Sequence, residues 1–90
     1  MAWYQFWWDE QNIEHIANHG VEPYEAEEVI DDDPFITKVG GDKYVAYGQS
    51  DGGRYLLVVF APKSEQRLRV ITARDMTNAE KKQFRQRKRK

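Results

Sequence analysis

The sequence contains no cysteine, and its 90 residues include only three prolines and six glycines. The lack of cysteine excludes a disulfide framework, thiolate metal sites and a cysteine nucleophile. No apolar run approaches the ~20 residues that a membrane-spanning helix requires. Residues 1–4 have neither the basic start nor the apolar stretch of a secretory signal. We therefore expect a cytoplasmic protein that forms one small domain over residues 1–90 and has no membrane partner.

Charge is distributed unevenly along the chain, although the formal net charge is only −1. Residues 1–45 carry 11 acidic and two basic side chains, whereas residues 46–90 carry four acidic and 12 basic ones. Such asymmetry indicates a charged partner, which is a nucleic acid, an acidic protein or a second copy of the chain. The alternative is that the two halves neutralise each other within the fold.

The aromatic run from Trp3 to Trp8 is typical of a strand. Alternation places Tyr4, Phe6 and Trp8 on one face, where the core is the simplest environment for them. Trp3 and Trp7 lie on the other face and are expected to be partly exposed. Exposed tryptophans form either a protein interface or a platform on which nucleic-acid bases stack.

Two helices are predicted after this strand. Asp9 is an N-cap residue for the first helix, which ends at Gly20. Pro23 begins the second helix, and the segment 31–34 ends it because proline disfavours the α conformation in the preceding residue. The apolar residues expected to face the core are Ile13, Ile16 and Ala17 in the first helix, and Ala26, Val29 and Ile30 in the second.

Four short strands joined by tight turns are predicted next, at 35–39, 43–49, 54–61 and 66–74. The six consecutive apolar or aromatic residues 55–60 predict a central strand that is covered on both faces. Strands connected by short turns form an antiparallel meander. We therefore predict an α+β fold, with two N-terminal helices and one C-terminal helix covering one face of the sheet or its ends.

The C-terminal helix is predicted from a capping-box spacing, since Thr77 is followed three residues later by Glu80. Ala79 and Phe84 are its only apolar residues for the core. Seven of the last ten residues are lysine or arginine. We therefore expect residues 81–90 to form a basic helix end that frays.

The sequence does not predict a metal or cofactor site. It has no glycine-rich phosphate-binding loop, since its glycine pairs stand in predicted hairpin turns. His15 and His19 can face one side of a helix, but a third ligand is poorly aimed. Consecutive acids at 31–33 point in different directions and are typical of a solvated turn.

Basic residues on the predicted strands are the more informative group. Arg67 and Arg69 share one face of their strand by alternation, and Arg74 has the opposite parity. Arg54 and Lys43 stand at the beginnings of two other strands. Cations fixed on strands suit phosphate binding. The alternative is that these side chains only make the surface soluble.

RNA cleavage through attack of the 2′-hydroxyl is one reaction that such cations support without a metal. It requires positive charge near the developing negative charge, together with a proton acceptor and a proton donor. His19, Tyr47 and a carboxylate are the proton-transfer groups that the sequence offers.

Several short motifs follow one another along residues 6–84. They are Phe6-x-Trp8-Asp9, His19-Gly20-Val21 with Glu25-Ala26-x-x-Val29, Asp32-Asp33-Pro34, Tyr47-Gly48-x-Ser50-Asp51-Gly52-x-Arg54, and Arg69-Val70-Ile71-Thr72-Ala73-Arg74. In this order they resemble the BrnT-type toxins, the ribonuclease components of bacterial type II toxin–antitoxin pairs. The resemblance implies a fold like the RelE-type ribonucleases and metal-independent cleavage of RNA. It also implies neutralisation by a small dimeric antitoxin that binds DNA.

The resemblance also assigns functional positions. Arg54, Arg69 and Arg74 fall on motif arginines, His19 on the motif histidine and Trp8 on the motif tryptophan. Together with the basic-residue pattern, this predicts that Arg69 and Arg74 stabilise the scissile phosphate. His19 is the preferred proton-transfer group, with Tyr47 as its substitute. RNA contacts are predicted for Lys43, Arg54, Arg67 and Trp8.

Three residues differ from the common family pattern. Asn18 replaces a lysine, Lys43 replaces an arginine, and Trp7 replaces a polar residue. These differences favour an alternative function, in which a catalytically inactive member of the fold binds a protein or RNA. A further alternative is a homo-oligomer in which acidic helices of one copy contact the basic end of another.

Overall fold

The computed structural model describes residues 4–88, which form five strands and three helices. The elements are β1 (Gln5–Trp7), α1 (Glu10–Ala17), α2 (Pro23–Asp31), β2 (Phe35–Gly40), β3 (Lys43–Gln49), β4 (Tyr55–Lys63), β5 (Arg67–Asp75) and α3 (Asn78–Lys88). The strands form one sheet of order β1-β5-β4-β3-β2. β2 to β5 are an antiparallel meander, and β1 pairs in parallel with β5 at the edge. The predicted α+β class and meander are confirmed.

Helices cover both faces of the sheet, as the apolar run 55–60 predicts for its central strand, although we expected the helices over one face or the ends. α1 and α2 pack over one face around Ile16, Val29 and Leu56, and we call it the α1/α2 face. α3 packs over the opposite face, where Phe84 joins a cluster with Leu57, and we call it the α3 face. The physical reason is β4, which is apolar on both sides and therefore needs cover on each.

The aromatic residues of the first strand lie as alternation predicts. Tyr4, Phe6 and Trp8 are partly buried and pack against the core on the α1/α2 face. Trp7 has the opposite orientation and is 37% exposed. The strand itself is shorter than the aromatic run, because only Gln5–Trp7 pair with β5. The prediction for Trp3 lies outside the described residues.

α1 begins at the predicted cap but buries a different residue. The Asp9 carboxylate accepts a bond from the Asn12 backbone N–H at 3.0 Å, and the Asn12 side chain accepts one from the Asp9 N–H at 2.8 Å. Asn12 also donates to the Trp7 carbonyl at 2.9 Å. These bonds direct Asn12 inward. The predicted burial of Ile13 and Ala17 is wrong, since both are exposed.

α2 lies close to β3 because Gly48 has no side chain. A Cβ atom at Gly48 would be 3.2 Å from Val29 Cγ1 and 3.5 Å from Pro34 Cβ. Pro23 begins the helix as predicted. The predicted inward residues of this helix are all buried: Ala26, Val29 and Ile30. This close approach fixes the position of α2 over the middle of the sheet.

The turn between β4 and β5 lies later than predicted. β4 occupies 55–63 rather than 54–61, and β5 occupies 67–75 rather than 66–74. Pro62 fits into β4 because pairing of β4 with β3 ends at Phe60, so its missing N–H removes no bond to β3. The chain turns instead through left-handed conformations at Glu65 and Gln66, whose φ angles are 62° and 59°.

A β-bulge in β5 decides which face its arginines share. Leu57 pairs with Arg74 and Ala61 pairs with Arg69, so four steps along β4 correspond to five along β5. Because side chains alternate between faces, the extra residue turns Arg74 to the same face as Arg69. This is the α3 face. The predicted opposite orientation of Arg74 is therefore wrong.

α3 begins with the predicted capping box. Thr77 Oγ1 accepts a bond from the Glu80 N–H at 3.2 Å, and the Glu80 carboxylate accepts one from the Thr77 N–H at 2.8 Å. Phe84 is 5% exposed and contacts the Tyr55 ring edge-on. The predicted burial of Ala79 is wrong, because Glu80 and Phe84, one turn apart, face the sheet and turn Ala79 outward.

Candidate active site

Tyr47 and Arg74 lie on the α3 face, on either side of Leu57. Tyr47 pairs with Leu57 across β3 and β4, and Leu57 pairs with Arg74 across β4 and β5. α3 passes over this row and leaves a cavity of about 100 Å³ between helix and sheet. We call it the Tyr47 cavity. Its lining residues are Phe35, Thr37, Tyr47, Glu80, Gln83, Phe84 and Arg87.

Arg74 does not line this cavity itself, but it is bound by Glu80, which does. Its Nη1 and Nη2 donate to the two carboxylate oxygens at 2.9 and 3.0 Å, and Nη1 also donates to the Asp75 carbonyl at 3.0 Å. The bond to Glu80 raises the pKa of Arg74, and the bond from Arg74 lowers the pKa of Glu80. The Arg74 side chain nevertheless remains 40% exposed. A fixed and partly open guanidinium of this kind is suited to binding a phosphate.

From the sequence, Glu80 was predicted only as a helix-cap residue; its contact with Arg74 and its position in the cavity lining were not predicted. The Glu80 carboxylate caps α3 and orients Arg74 at the same time. The signal was present, since a glutamate six residues after the last motif arginine also stands in the first turn of the helix. Only the packing of α3 against β5 shows that the two side chains meet.

Arg54 is engaged by several protein groups. Its Nε and Nη2 donate to the two oxygens of Asp75 at 2.8 and 3.1 Å. Its Nη1 donates to Glu25 at 3.0 Å and to the Gly20 carbonyl at 2.7 Å. The bonds with Asp75 raise the pKa of Arg54 and lower that of Asp75. Arg54 thus joins the α1–α2 turn, α2 and the end of β5.

His19 lies in the turn between α1 and α2 and is exposed. Its ring is 6.0 Å from that of His15. Within residues 4–88 no three histidine, aspartate or glutamate side chains are grouped so that they could hold a metal ion. The next residue, Gly20, accepts a hydrogen bond from Arg54 through its carbonyl, so His19 adjoins the Arg54 ion pairs. The structure therefore places Tyr47 and Arg74 on one sheet face and His19 in the turn between α1 and α2.

Arg67 and Arg69 lie at the other end of the α3 face. Arg69 Nη1 contacts Asp9 at 2.6 Å, and Arg67 Nη2 contacts Glu65 at 2.9 Å. The paired positions of Arg69 and Arg74 on β4 are four residues apart, which corresponds to ~13 Å at the usual rise per residue. Arg69 and Arg74 are therefore separated along the strand, and different carboxylates bind them, Asp9 and Glu80.

The two remaining predicted residues lie apart from the Tyr47 cavity. Lys43 is exposed at the start of β3, on the same face as Tyr47 by alternation but at the opposite end of the strand. Trp8 packs against the core on the α1/α2 face, and its Nε1 donates to Glu27 Oε2 at 2.6 Å. Trp8 thus ties β1 to α2.

The basic residues of α3 lie over aromatic rings of the sheet. Lys81 and Arg85 lie 5.8 and 5.4 Å from the Tyr55 ring centre, and the Arg87 guanidinium lies 4.4 Å from the Phe35 ring centre. These cation–π contacts hold the helix across the α3 face. Of these three cations, Arg87 also lines the Tyr47 cavity.

Acid is expected to destabilise the protein through Asp9, Asp75 and Glu80. A bonded arginine lowers the pKa of each of these carboxyls in the folded state. The unfolded chain, whose carboxyl pKa values are about 4, therefore takes up protons first as the pH falls. The resulting stability is fully present above about pH 5 and is lost as the pH drops through the lowered folded pKa values.

Urea unfolding followed from about pH 7 down to about pH 3 measures this loss. In the Glu80→Gln variant one of the three carboxyls no longer titrates, so its free energy of unfolding should fall less steeply with pH. An unfolding free energy that stays constant over this range would contradict the prediction.

A family model matches residues 7–80 of the chain, and it describes the ribonuclease toxin, BrnT, of type II toxin–antitoxin systems. The chain belongs to the BrnT family. The crystal structure of the Brucella abortus ribonuclease toxin BrnT, at 1.1 Å resolution, has the same fold. The TM-score is 0.69 at 24% identity, over 83% of this chain and 99% of that one. No curated protein sequence matches the chain.

Membership in the BrnT family confirms the resemblance predicted from the ordered motifs. Because the family consists of toxins of type II toxin–antitoxin systems, it implies an antitoxin partner. Over residues 4–88, no helix has the length and apolar character needed to cross a membrane. The catalytic and RNA-binding roles of individual BrnT-family positions in this chain stay predictions.

Proposed function

We propose that this protein is an RNA-cleaving toxin whose reaction takes place at the Tyr47 cavity and needs no metal ion. The observation that carries the proposal is the juxtaposition of Arg74 and Tyr47 on one sheet face, where Glu80 of the cavity lining binds Arg74. Family membership supplies the reaction class. The inferred inhibitor is a small antitoxin that also binds DNA, and the inferred place of action is the cytoplasm.

In the proposed reaction, the 2′-hydroxyl oxygen of the RNA attacks the neighbouring phosphorus. The bond from phosphorus to the 5′-oxygen of the next nucleotide breaks, which leaves a 2′,3′-cyclic phosphate and a 5′-hydroxyl. Negative charge develops on the phosphoryl oxygens, and the Arg74 guanidinium stabilises it. Glu80 holds that guanidinium in place before RNA arrives, so that little reorganisation is needed during the reaction.

Two protons move in this reaction. The proton of the attacking 2′-hydroxyl passes to water, and the leaving 5′-oxygen takes up a proton from a donor. Tyr47 is the better placed of the predicted donors, because its phenol shares the α3 face with Arg74. His19 lies beside the helices, so we propose Tyr47 as the donor and retain His19 as the alternative.

The test uses purified protein, free of antitoxin, incubated with total RNA in EDTA and analysed on a gel. The unaltered protein should cleave the RNA. Tyr47→Phe should lower the rate about 100-fold, which is a usual contribution of a positioned proton donor. His19→Ala is the matched comparison and should change the rate by only a few-fold. The reverse order would assign the donor role to His19.

A second candidate function is RNA binding without cleavage. The observation that favours it is the neutralisation of motif arginines by carboxylates, which is most complete at Arg54. In that case folded, antitoxin-free protein would leave RNA intact in the same assay. It would still bind RNA with an affinity that falls steeply with salt concentration.

A further inference from the structure

Trp7 lies in the edge strand β1, and its ring contacts two arginines of the neighbouring strand β5. β1 pairs in parallel with β5 so that Trp7 is opposite Arg69, and Gln5 is opposite Arg67. The guanidinium carbons of Arg67 and Arg69 are 5.0 and 5.3 Å from the centre of the Trp7 ring. We call these three residues the Trp7 cluster. It presents an aromatic ring, 37% exposed, together with two positive charges.

The two arginines of the Trp7 cluster retain donors for a further ligand. Each guanidinium has five N–H groups, whereas the ion pairs found for Arg67 and Arg69 among the described residues use one nitrogen each. The Arg67–Glu65 pair is weak, because its side chains are 37% and 77% exposed, whereas the Arg69–Asp9 pair is part-buried. Arg67 Nε is buried, so it is not one of the donors that a ligand can reach, and it has no hydrogen-bond partner among the described residues.

The Trp7 cluster shares the α3 face with the Tyr47 cavity. Arg69 and Arg74 are ~13 Å apart along β5, as their partners on β4 show. At about 3.4 Å for each stacked nucleotide, this distance corresponds to about four nucleotides, and to fewer in an extended strand. A single RNA strand that has a phosphate at Arg74 can therefore reach Trp7.

We propose that the Trp7 cluster is a second RNA subsite, which binds one unpaired base and an adjoining phosphate away from the cleaved bond. The base stacks on the exposed part of the Trp7 ring or on a guanidinium plane lying over it. The remaining N–H groups of Arg67 and Arg69 bind the phosphate. This subsite rests on the proposed function, because it defines the substrate of the Tyr47 cavity as single-stranded RNA long enough to reach both places.

The experiment measures binding rather than cleavage. A fluorescently labelled single-stranded RNA of about six nucleotides, blocked by 2′-O-methyl groups, is titrated with the full chain free of antitoxin. Trp7→Ala should weaken its affinity about five- to 100-fold, which is the effect of losing one stacked base. Trp7→Phe should recover most of it. The matched control is Tyr24→Ala, which removes another exposed ring, 59% exposed, from acidic α2.

Two further measurements separate this subsite from other effects. The loss caused by Trp7→Ala should disappear with a dinucleotide, which is too short to reach from Arg74 to the Trp7 cluster. Arg67→Gln should reduce the slope of log affinity against log salt by about one, as expected for one phosphate contact. Far-ultraviolet circular dichroism of each variant shows whether it is folded.

The proposal is overturned if Trp7→Ala binds the longer RNA as tightly as the unaltered protein. It is also overturned if Trp7→Ala leaves RNA affinity unchanged and instead converts an oligomer to a monomer, which would make the Trp7 cluster a protein contact. Because the RNA is blocked, a protein that fails to cleave can still show the Trp7 effect. Failure of the proposed function and failure of the subsite are therefore distinguishable.

Discussion

Replacing Arg74 with alanine should lower the rate of RNA cleavage at least about 100-fold. Loss of one fixed donor to a developing oxyanion commonly costs 100- to 1,000-fold in rate. The free energy of unfolding should change little, since the Arg74 side chain is 40% exposed and exposed ion pairs contribute little. Glu80 would also keep its bonds to Thr77 and continue to cap α3. Single-turnover cleavage in EDTA, with urea unfolding alongside, measures both quantities.

Two control variants distinguish the effect of the two parallel hydrogen bonds of Arg74 from the effect of its positive charge. Arg74→Lys keeps the positive charge but cannot donate two parallel bonds, so its cleavage rate should lie between those of Arg74→Ala and the unaltered protein. Arg85→Ala removes one charge from α3, where that side chain lies over Tyr55, and should lower the rate by only a few-fold. Cleavage by Arg74→Ala at the unaltered rate would exclude Arg74 from the site.

Replacing Arg54 with alanine should reduce the free energy of unfolding by about 2 kcal/mol, or roughly 30-fold in the folding equilibrium. Arg54 binds Asp75, Glu25 and the Gly20 carbonyl, and so holds three elements together. Its removal leaves Glu25, which is only 15% exposed, without its cation. Because Arg54 is partly exposed, this loss of stability is well below the loss expected on breaking a fully buried ion pair.

Urea unfolding at neutral pH measures this loss, and Arg54→Lys provides the control. Lysine keeps the charge but cannot bind both oxygens of Asp75 while also reaching Glu25, so it should restore only part of the stability. A free energy of unfolding equal to that of the unaltered protein would contradict a structural role. In that case the sequence-based prediction of an RNA contact by Arg54 would become the better account.

These two expected results assign different roles to arginines that look equivalent in the sequence. Arg54 and Arg74 both fall on motif positions, and both are bound by carboxylates. The difference lies in what surrounds them. Arg54 is enclosed by the α1–α2 turn and β5, whereas Arg74 is bound to Glu80, which lines the cavity beside Tyr47.

Local structure could be predicted from the sequence because its signals act over a few residues. The Asp9 cap, Pro23 at the start of α2 and the Thr77–Glu80 capping box were confirmed for this reason. The bounds of β3 were also correct, since Gly41 and the turn at 50–53 limit it on both sides. Each signal depends on backbone geometry within about one turn of chain.

Family membership could also be predicted from the sequence, because the motifs occur in a fixed order along the chain. No single motif is specific, but their succession from Phe6 to Phe84 matches one family, and the family model confirms it over residues 7–80. The order of the elements predicted the α+β class, and the apolar run 55–60 predicted the central position of β4. The apolar run in β4 can be buried only in a sheet that is covered on both faces.

Only the tertiary structure decided which functional side chains meet. The bulge in β5 turned Arg74 to the face that holds Arg69, and strand pairing set Tyr47 beside it. The contact between Arg69 and Asp9 joins residues 60 positions apart, and that between Arg54 and Glu25 joins residues 29 apart. Such contacts depend on register and on the packing of distant elements, which alternation within one strand does not encode. The sequence by itself therefore determined the family, the elements and their caps, whereas the division of the arginines between structure and site follows from long-range packing.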